Sequence, residues 1–147
     1  MAKYKFRLQT LQKVREAKRN QQRASLADAF RAEQILIEKR AEITKEKSEL
    51  VELQRSAATV KYLDVNRLLE AQRYEILLQA RGHELAKQTA LVQAEIERRR
   101  QALVEADRDV RVLELLDERH RREHNQRAAR QEVKQLDETA LLQWRTS

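Results

Sequence analysis

One pair of residues in the sequence has the types and the spacing for metal chemistry, His120 and His124. Two histidines four positions apart share one face of a helix, an arrangement that zinc sites use. Glu123 is adjacent in the sequence, but no third ligand is apparent and arginines surround the pair. We therefore interpret His120 and His124 as two solvated histidines and expect no bound metal.

Other residue types leave little room for catalysis. Gly82 is the single glycine, so a glycine-rich nucleotide-binding loop cannot be built, and without cysteine there is no thiol or disulfide chemistry. Carboxylates are abundant, as in any charged helix, but no cleft is expected that would desolvate them and shift their pKa values. We expect neither enzymatic activity nor a cofactor.

The basic residues are concentrated at the start of the chain. Net charge is +7, and residues 1–30 hold eight Lys or Arg against two acids. Mixed charges elsewhere suit a solvated helix surface with pairs four positions apart. The lopsided first thirty residues instead indicate an acidic or anionic partner.

Hydropathy gives no indication of a membrane segment. The longest stretch without a charged residue or histidine is residues 88–94, against about 20 residues needed to span a bilayer. The basic N-terminal segment lacks the apolar core of a signal peptide. These features predict a protein in the reducing cytosol that does not insert into a membrane.

Composition indicates how these side chains must be positioned. Charged residues make up 37% of the chain, aromatic residues 4%, and proline is absent. Good helix formers dominate, and residues that make tight turns are scarce. The sequence therefore predicts an all-α fold of long helices with few connections.

A heptad row in the first half predicts that its helix packs against another helix. The row consists of Ala29, Leu36, Ile43, Leu50 and Ala57. Upstream, polar residues dilute the row after Leu8 and Leu11, and we expect a neighbouring stripe to take over there: Val14, Ala17, Ala24 and Ala27.

The second half carries a longer row in steps of four and three. It runs through Leu85, Thr89, Val92, Ile96, Arg99, Leu103, Ala106, Val110 and Leu113, and backwards through Gly82, Leu78, Glu75, Ala71 and Leu68. A row that keeps phase over this length is specific evidence for helix–helix pairing.

The two rows lose phase relative to each other between residues 55 and 67. Candidate capping side chains lie there, and we place a turn at about 57–64 with Asp64 as the helix cap. One continuous helix with a four-residue stutter is the competing interpretation, but it would be roughly 210 Å long and would need a second chain.

These elements predict a long antiparallel two-helix coiled-coil hairpin, a single domain over residues 1–147. Helix 1 covers about 5–56 and helix 2 about 65–143, with residue i facing roughly residue 120 − i. Both termini then lie at one end, and residues 117–132, which carry almost no apolar row, project beyond it. The apolar face that returns at Val133, Leu136, Ala140, Leu141 and Trp144 is either a binding element or part of a solvated tail.

Both ends of the chain resemble the FliJ family of flagellar export proteins. The opening KYKFRLQTLQKVRE and the closing LELLDERHRREHNQRAARQEVKQLDETA carry the resemblance, and the family's acidic-leucine signature corresponds to residues 132–138, EVKQLDE. The resemblance implies an antiparallel coiled coil similar to the rotor stalk of rotary ATPases. It further implies a non-enzymatic central stalk or general chaperone of the flagellar type III protein export apparatus, in the cytoplasm at the inner face of the membrane at the flagellar base.

In FliJ-like proteins the end with both termini enters the pore of the hexameric export ATPase, and the region towards the turn contacts the export-gate membrane protein; export chaperones are further partners. The net positive charge predicts the ATPase-binding residues of this chain, which are Lys3, Lys5, Arg7, Lys13, Arg15, Arg119, Arg121, Arg122, Arg127 and Arg130. Exposed apolar side chains near the turn predict the gate contact: Tyr62, Tyr74 and Leu77.

Three other functions remain open from the residues alone. The chain could be a stalk subunit of a virulence type III secretion system or of a rotary ATPase. A basic coiled coil could bind nucleic acid, although acids are intermixed with the bases of the second half. A structural homodimer is the third alternative, whereas the hairpin is expected to be monomeric on its own.

Overall fold

The computed structural model describes residues 3–58 and 65–146, and nearly all of them lie in two long helices. Helix α1 spans Gln9–Ala58 and helix α2 spans Val65–Thr146. No strand occurs in these two ranges. Of the expected turn at 57–64, Ala57 and Ala58 belong to α1, and the rest, with the capping residue Asp64, lies outside the described residues.

The first helix begins later than the sequence suggested. It starts at Gln9 instead of about residue 5, and residues 3–8 are not helical. The backbone N–H of Gln9 donates to the carbonyl of Phe6 at 3.2 Å, and that of Gln12 donates to the carbonyl of Leu8 at 2.9 Å. The helical hydrogen-bonding pattern is thus established only from Leu8 onwards.

Contacts divide the chain into two compact units. Unit 1 consists of Met1–Gln22 and Ala102–Ser147, and unit 2 of Arg23–Gln101. Segments of both helices contribute to each unit.

Unit 2 has the apolar interface expected from the heptad rows. Ala29, Leu36 and Leu50 of α1 are buried, as are Leu78, Leu85 and Ile96 of α2. The direction is antiparallel, because Ser25 contacts Arg99 whereas Glu46, later in α1, contacts Tyr74, earlier in α2. The expected all-α hairpin of two long packed helices is confirmed.

Arg99 occupies a position of the apolar row, and its hydrogen bonds explain how the charge is accommodated. Its Nη1 donates to the carbonyl of Ser25 at 2.6 Å, and its Nε donates to the Glu95 carboxylate at 2.8 Å. The bonds that Arg98 and Arg99 donate hold the pKa of Glu95 below its usual value. The guanidinium therefore bridges the helices while its stem covers apolar surface.

Unit 1 pairs an apolar face of α2 with a more polar face of α1. Ala106, Val110 and Leu113 are buried. The facing row of α1 keeps its phase through half-buried Arg15 and Gln22, while Val14 is 59% exposed. The expected takeover by the stripe of Val14, Ala17, Ala24 and Ala27 is therefore wrong; all four are exposed.

The pairing register matches the expected one at the hydrogen bond from Tyr74 to Glu46, and two contacts made by arginine side chains nearer the termini differ from it by about one helical turn. Residue 15 was expected opposite residue 105, but Arg15 forms an ion pair with Asp109 at 2.7 Å. Likewise Ser25 meets Arg99 instead of residue 95. Four residues advance a helix by about 6 Å, so a larger part of α2 is paired than the sequence indicated.

Gly82 gives a prediction about stability. It lies inside α2 without a positive φ, and a Cβ added there would meet Lys47 Nζ at 3.8 Å, which is ordinary van der Waals contact. We expect Gly82→Ala to raise the free energy of unfolding by about 0.5–1 kcal/mol, because alanine loses less backbone entropy in a helix. Urea unfolding followed by circular dichroism measures this; destabilisation would show that the helices require the glycine's close approach.

Candidate binding site at the basic end

The first described residues alternate between an inner and an outer side. Residues 3–8 read Lys-Tyr-Lys-Phe-Arg-Leu; Phe6 is buried and Tyr4 and Leu8 are half-buried, while the three basic side chains are exposed. Successive side chains of an extended segment point to opposite sides. This alternation places the basic side chains outside and the aromatic side chains against α2. The same alternation is visible in the sequence and could have indicated that α1 does not begin at residue 5.

The aromatic side chains pack on the two histidines of α2. The ring centroids of Tyr4 and His124 are 5.6 Å apart, and those of Phe6 and His120 are 5.9 Å apart. Tyr4 and Phe6 are two residues apart, which in an extended chain is about 6.6 Å. His120 and His124 are four residues apart, which in a helix is about 6 Å, so each aromatic ring can meet one histidine. Since both histidines are half-buried by these rings, their interpretation as solvated side chains is wrong.

Tyr4 is further held by polar contacts on α2. Its hydroxyl donates to Asp117 Oδ1 at 2.6 Å and lies 3.1 Å from the Asp117 carbonyl oxygen, and the Arg121 guanidinium lies 5.4 Å from the ring centroid. Burial first, and then the hydrogen bond to Asp117, raises the pKa of Tyr4 to about 12. Tyr4 therefore stays a neutral donor to Asp117 at neutral pH.

The ten basic residues predicted for ATPase binding all belong to unit 1. We call these residues the basic end: Lys3, Lys5, Arg7, Lys13, Arg15, Arg119, Arg121, Arg122, Arg127 and Arg130. All are exposed apart from Arg15, which is half-buried. The fold thus brings into one unit charges that are more than a hundred positions apart in the sequence.

Some of these charges also have partners within the protein. Arg15 pairs with Asp109 at 2.7 Å, Arg119 approaches Glu123 at 3.4 Å, and Arg121 stacks on Tyr4. Exposed ion pairs of this kind contribute about 0–1 kcal/mol and leave the cations accessible. The structure does not test their role in ATPase binding, which stays a prediction.

The paired part of α2 extends further than expected. Asp117, His120, Glu123, His124 and Ala128 are half-buried, although residues 117–132 were expected to carry almost no apolar row and to project beyond the paired end. From Ala129 to Thr146 the helix continues with every residue exposed. Its large apolar side chains are Val133, Leu136, Leu141, Leu142 and Trp144.

The residues predicted for the gate contact fall in different situations. Tyr62 lies outside the described residues, whereas Leu77 is exposed. Tyr74 is partly exposed and its hydroxyl donates to Glu46 Oε2 of α1 at 2.7 Å, a hydrogen bond that raises the pKa of Tyr74. Tyr74 also lines a groove of about 500 Å³ together with Leu50, Leu53 and Leu68. Their role in binding a gate protein stays a prediction.

The described residues offer neither a metal-binding cluster nor a membrane-spanning helix. Within 3–58 and 65–146, no three histidine, aspartate or glutamate side chains group as metal ligands. In those ranges no helix combines the length and the apolar character needed to cross a bilayer.

Comparison with known proteins agrees with the resemblance noted above. A family model described as flagellar FliJ protein matches residues 4–147, essentially the whole chain. Neither the curated proteins nor the solved structures yield a significant match. Because the family model spans both helices and both ends, the chain belongs to the FliJ family.

Proposed function

We propose that this protein is the central stalk or general chaperone of the flagellar export apparatus, binding the export ATPase hexamer through its basic end. Membership of the FliJ family implies a non-catalytic role in flagellar protein export. The finer assignment to a stalk that links the ATPase to the export-gate membrane protein goes beyond that membership and belongs to the proposal. So does its location in the cytoplasm at the flagellar base.

The observation that carries the proposal is the gathering of ten basic side chains in unit 1 around both ends of the chain. A slender helical element with clustered cations suits a pore lined by acidic groups. Complementary charge of this kind mainly sets the rate and orientation of encounter. The alternative functions as a nucleic-acid-binding protein, a virulence or rotary stalk, or a structural homodimer are less favoured, because the family match is to a flagellar protein.

The test is the ATPase activity of the purified flagellar export hexamer with and without this protein. We expect severalfold stimulation that saturates with added protein, since a stalk that fills the pore favours the assembled, active ring. An equal amount of an unrelated basic coiled coil serves as the control. Absence of both stimulation and binding at physiological salt would contradict the proposal.

A further inference from the structure

A cleft of about 460 Å³ lies in unit 1 where the N-terminal segment crosses α2. Lys3 and Lys5 border it from the N-terminal segment and Arg127 from α2, with His120 and His124 between them. The Tyr4 ring and the Glu123 carboxylate complete the lining. The cleft is therefore surrounded mainly by nitrogen donors.

The charge balance of this cleft favours an anion. Three permanent cations face one carboxylate, and that carboxylate already has Arg119 Nε at 3.4 Å. The two histidine rings are held in place by Tyr4 and Phe6 at 5.6 and 5.9 Å. A site whose donors are fixed before binding loses less entropy when a ligand arrives.

We propose that this cleft binds carboxylate groups of an acidic segment in a partner protein. The proposal rests on the proposed function for the identity of the partner, but its chemistry can be tested without that partner. Arginine and lysine together form charge-assisted hydrogen bonds with carboxylates. A long polyphosphate backbone fits less well, because Asp117, Glu118 and Glu123 lie along the same part of α2.

The charged groups around the two histidines add to the positive charge of the cleft. The titratable and charged groups around the two rings are Lys3, Tyr4 and Lys5 from the N-terminal segment and Asp117, Arg121, Glu123 and Arg127 from α2. Four permanent cations in this set outnumber the two carboxylates, and one of these, Asp117, already accepts the hydroxyl of Tyr4 at 2.6 Å. These surroundings favour an anion in the cleft.

The chain contains its own reference for this measurement. It has three histidines, and His83 is exposed in unit 2, so its signal should not respond to a ligand in the cleft. We would titrate a decaglutamate peptide into the full-length protein and follow the three histidine ring signals by NMR. The signals of His120 and His124 should shift and saturate, whereas that of His83 should stay in place. Equal shifts of all three histidines, or none, would overturn the proposal.

Variants with opposite expected effects sharpen the test. Glu123→Gln removes the opposing carboxylate and should tighten decaglutamate binding about threefold, whereas Lys5→Gln with Arg127→Gln should weaken it about tenfold. Lys45→Gln with Arg73→Gln in unit 2 is the matched control for the loss of two exposed positive charges and should leave binding unchanged. An unchanged or weaker affinity of the Glu123→Gln variant would contradict the assignment.

Inorganic phosphate is titrated as the second probe. Binding of phosphate without binding of decaglutamate would refute the carboxylate assignment. Stimulation of the ATPase by a protein whose cleft binds no decaglutamate would overturn this inference and leave the proposed function standing. Binding of decaglutamate to the cleft without stimulation of the ATPase would support carboxylate binding by the cleft and count against the ATPase as its partner.

Discussion

Reversing four exposed charges of the basic end, with Arg7, Lys13, Arg122 and Arg130 each replaced by glutamate, is expected to abolish binding to the export ATPase. All four side chains are exposed, and none lines the cleft between the N-terminal segment and α2 for which we propose carboxylate binding. Each replacement turns an attraction to acidic pore groups into a repulsion, so the combined loss of affinity should be roughly 100-fold or more. Helicity should persist, because none of the four is buried between the helices. Pull-down at physiological salt and circular dichroism measure the two effects.

The matched control reverses four exposed charges of unit 2: Arg40, Lys45, Arg73 and Lys87. The same total change of charge should leave ATPase binding largely intact if the basic end is the contact. Leu77→Asp is a further variant that should weaken binding to the gate protein and spare the ATPase. Unchanged ATPase binding after reversal of the basic end would remove the ATPase contact from the proposal.

Leu78→Asp is the substitution with the largest expected effect on stability. Leu78 is 0% exposed at the centre of the unit 2 interface, and aspartate there would bury a carboxylate without a partner. We expect the free energy of unfolding to fall by about 3–5 kcal/mol, from the lost apolar contacts and the cost of burying a charge. Thermal and urea unfolding followed by circular dichroism at neutral pH quantify the loss.

Ile76→Asp is the control, two positions earlier on the same helix. Ile76 is 66% exposed, so its replacement should cost less than about 1 kcal/mol. Similar losses for the two variants would mean that α2 does not present Leu78 to α1, and the antiparallel packing would then be in error.

The apolar row of α2 shows what the sequence could predict. Leu78, Leu85, Ile96, Val110 and Leu113 lie at the expected positions and are all buried. Heptad phase is a local property of one helix, so it can be read without knowing the partner. The fold class followed from that row together with the scarcity of glycine and proline.

The pairing of unit 1 could not be predicted from helix periodicity. Arg15 and Gln22 remain on the interface although Val14 and Ala17 are more apolar. To face α2 with Val14 and Ala17 instead of Arg15 and Gln22, α1 would have to turn by about 100° about its axis. The buried Ala29 and Leu36 further along the same helix are in phase with Arg15 and Gln22, and a rigid helix cannot satisfy both orientations. Long side chains can instead cover apolar surface and keep their charged groups at its edge, as Arg15 does with Asp109.

The contacts of Tyr4 and Phe6 were missed for a different reason. Tyr4 and Phe6 alternate with lysines, which is the two-residue period of an extended chain. A helix was instead expected from about residue 5, and so this period was not used. The histidines alone were interpreted as solvated side chains, and only the packing of the aromatic rings against them gives both sets of residues a common explanation.

The match between a two-residue step and a four-residue step also fixes the alignment of α1 along α2 in unit 1. A polar interface through Arg15 and Gln22 would tolerate slippage by one heptad. Such a slip would bring Phe6 from His120 to Arg127 or Leu113, and Tyr4 from His124 to Gln131 or Asp117. Neither arrangement offers two aromatic rings to the N-terminal segment, so the packing of Tyr4 and Phe6 favours the observed alignment of α1 on α2 in unit 1 over one shifted by a heptad.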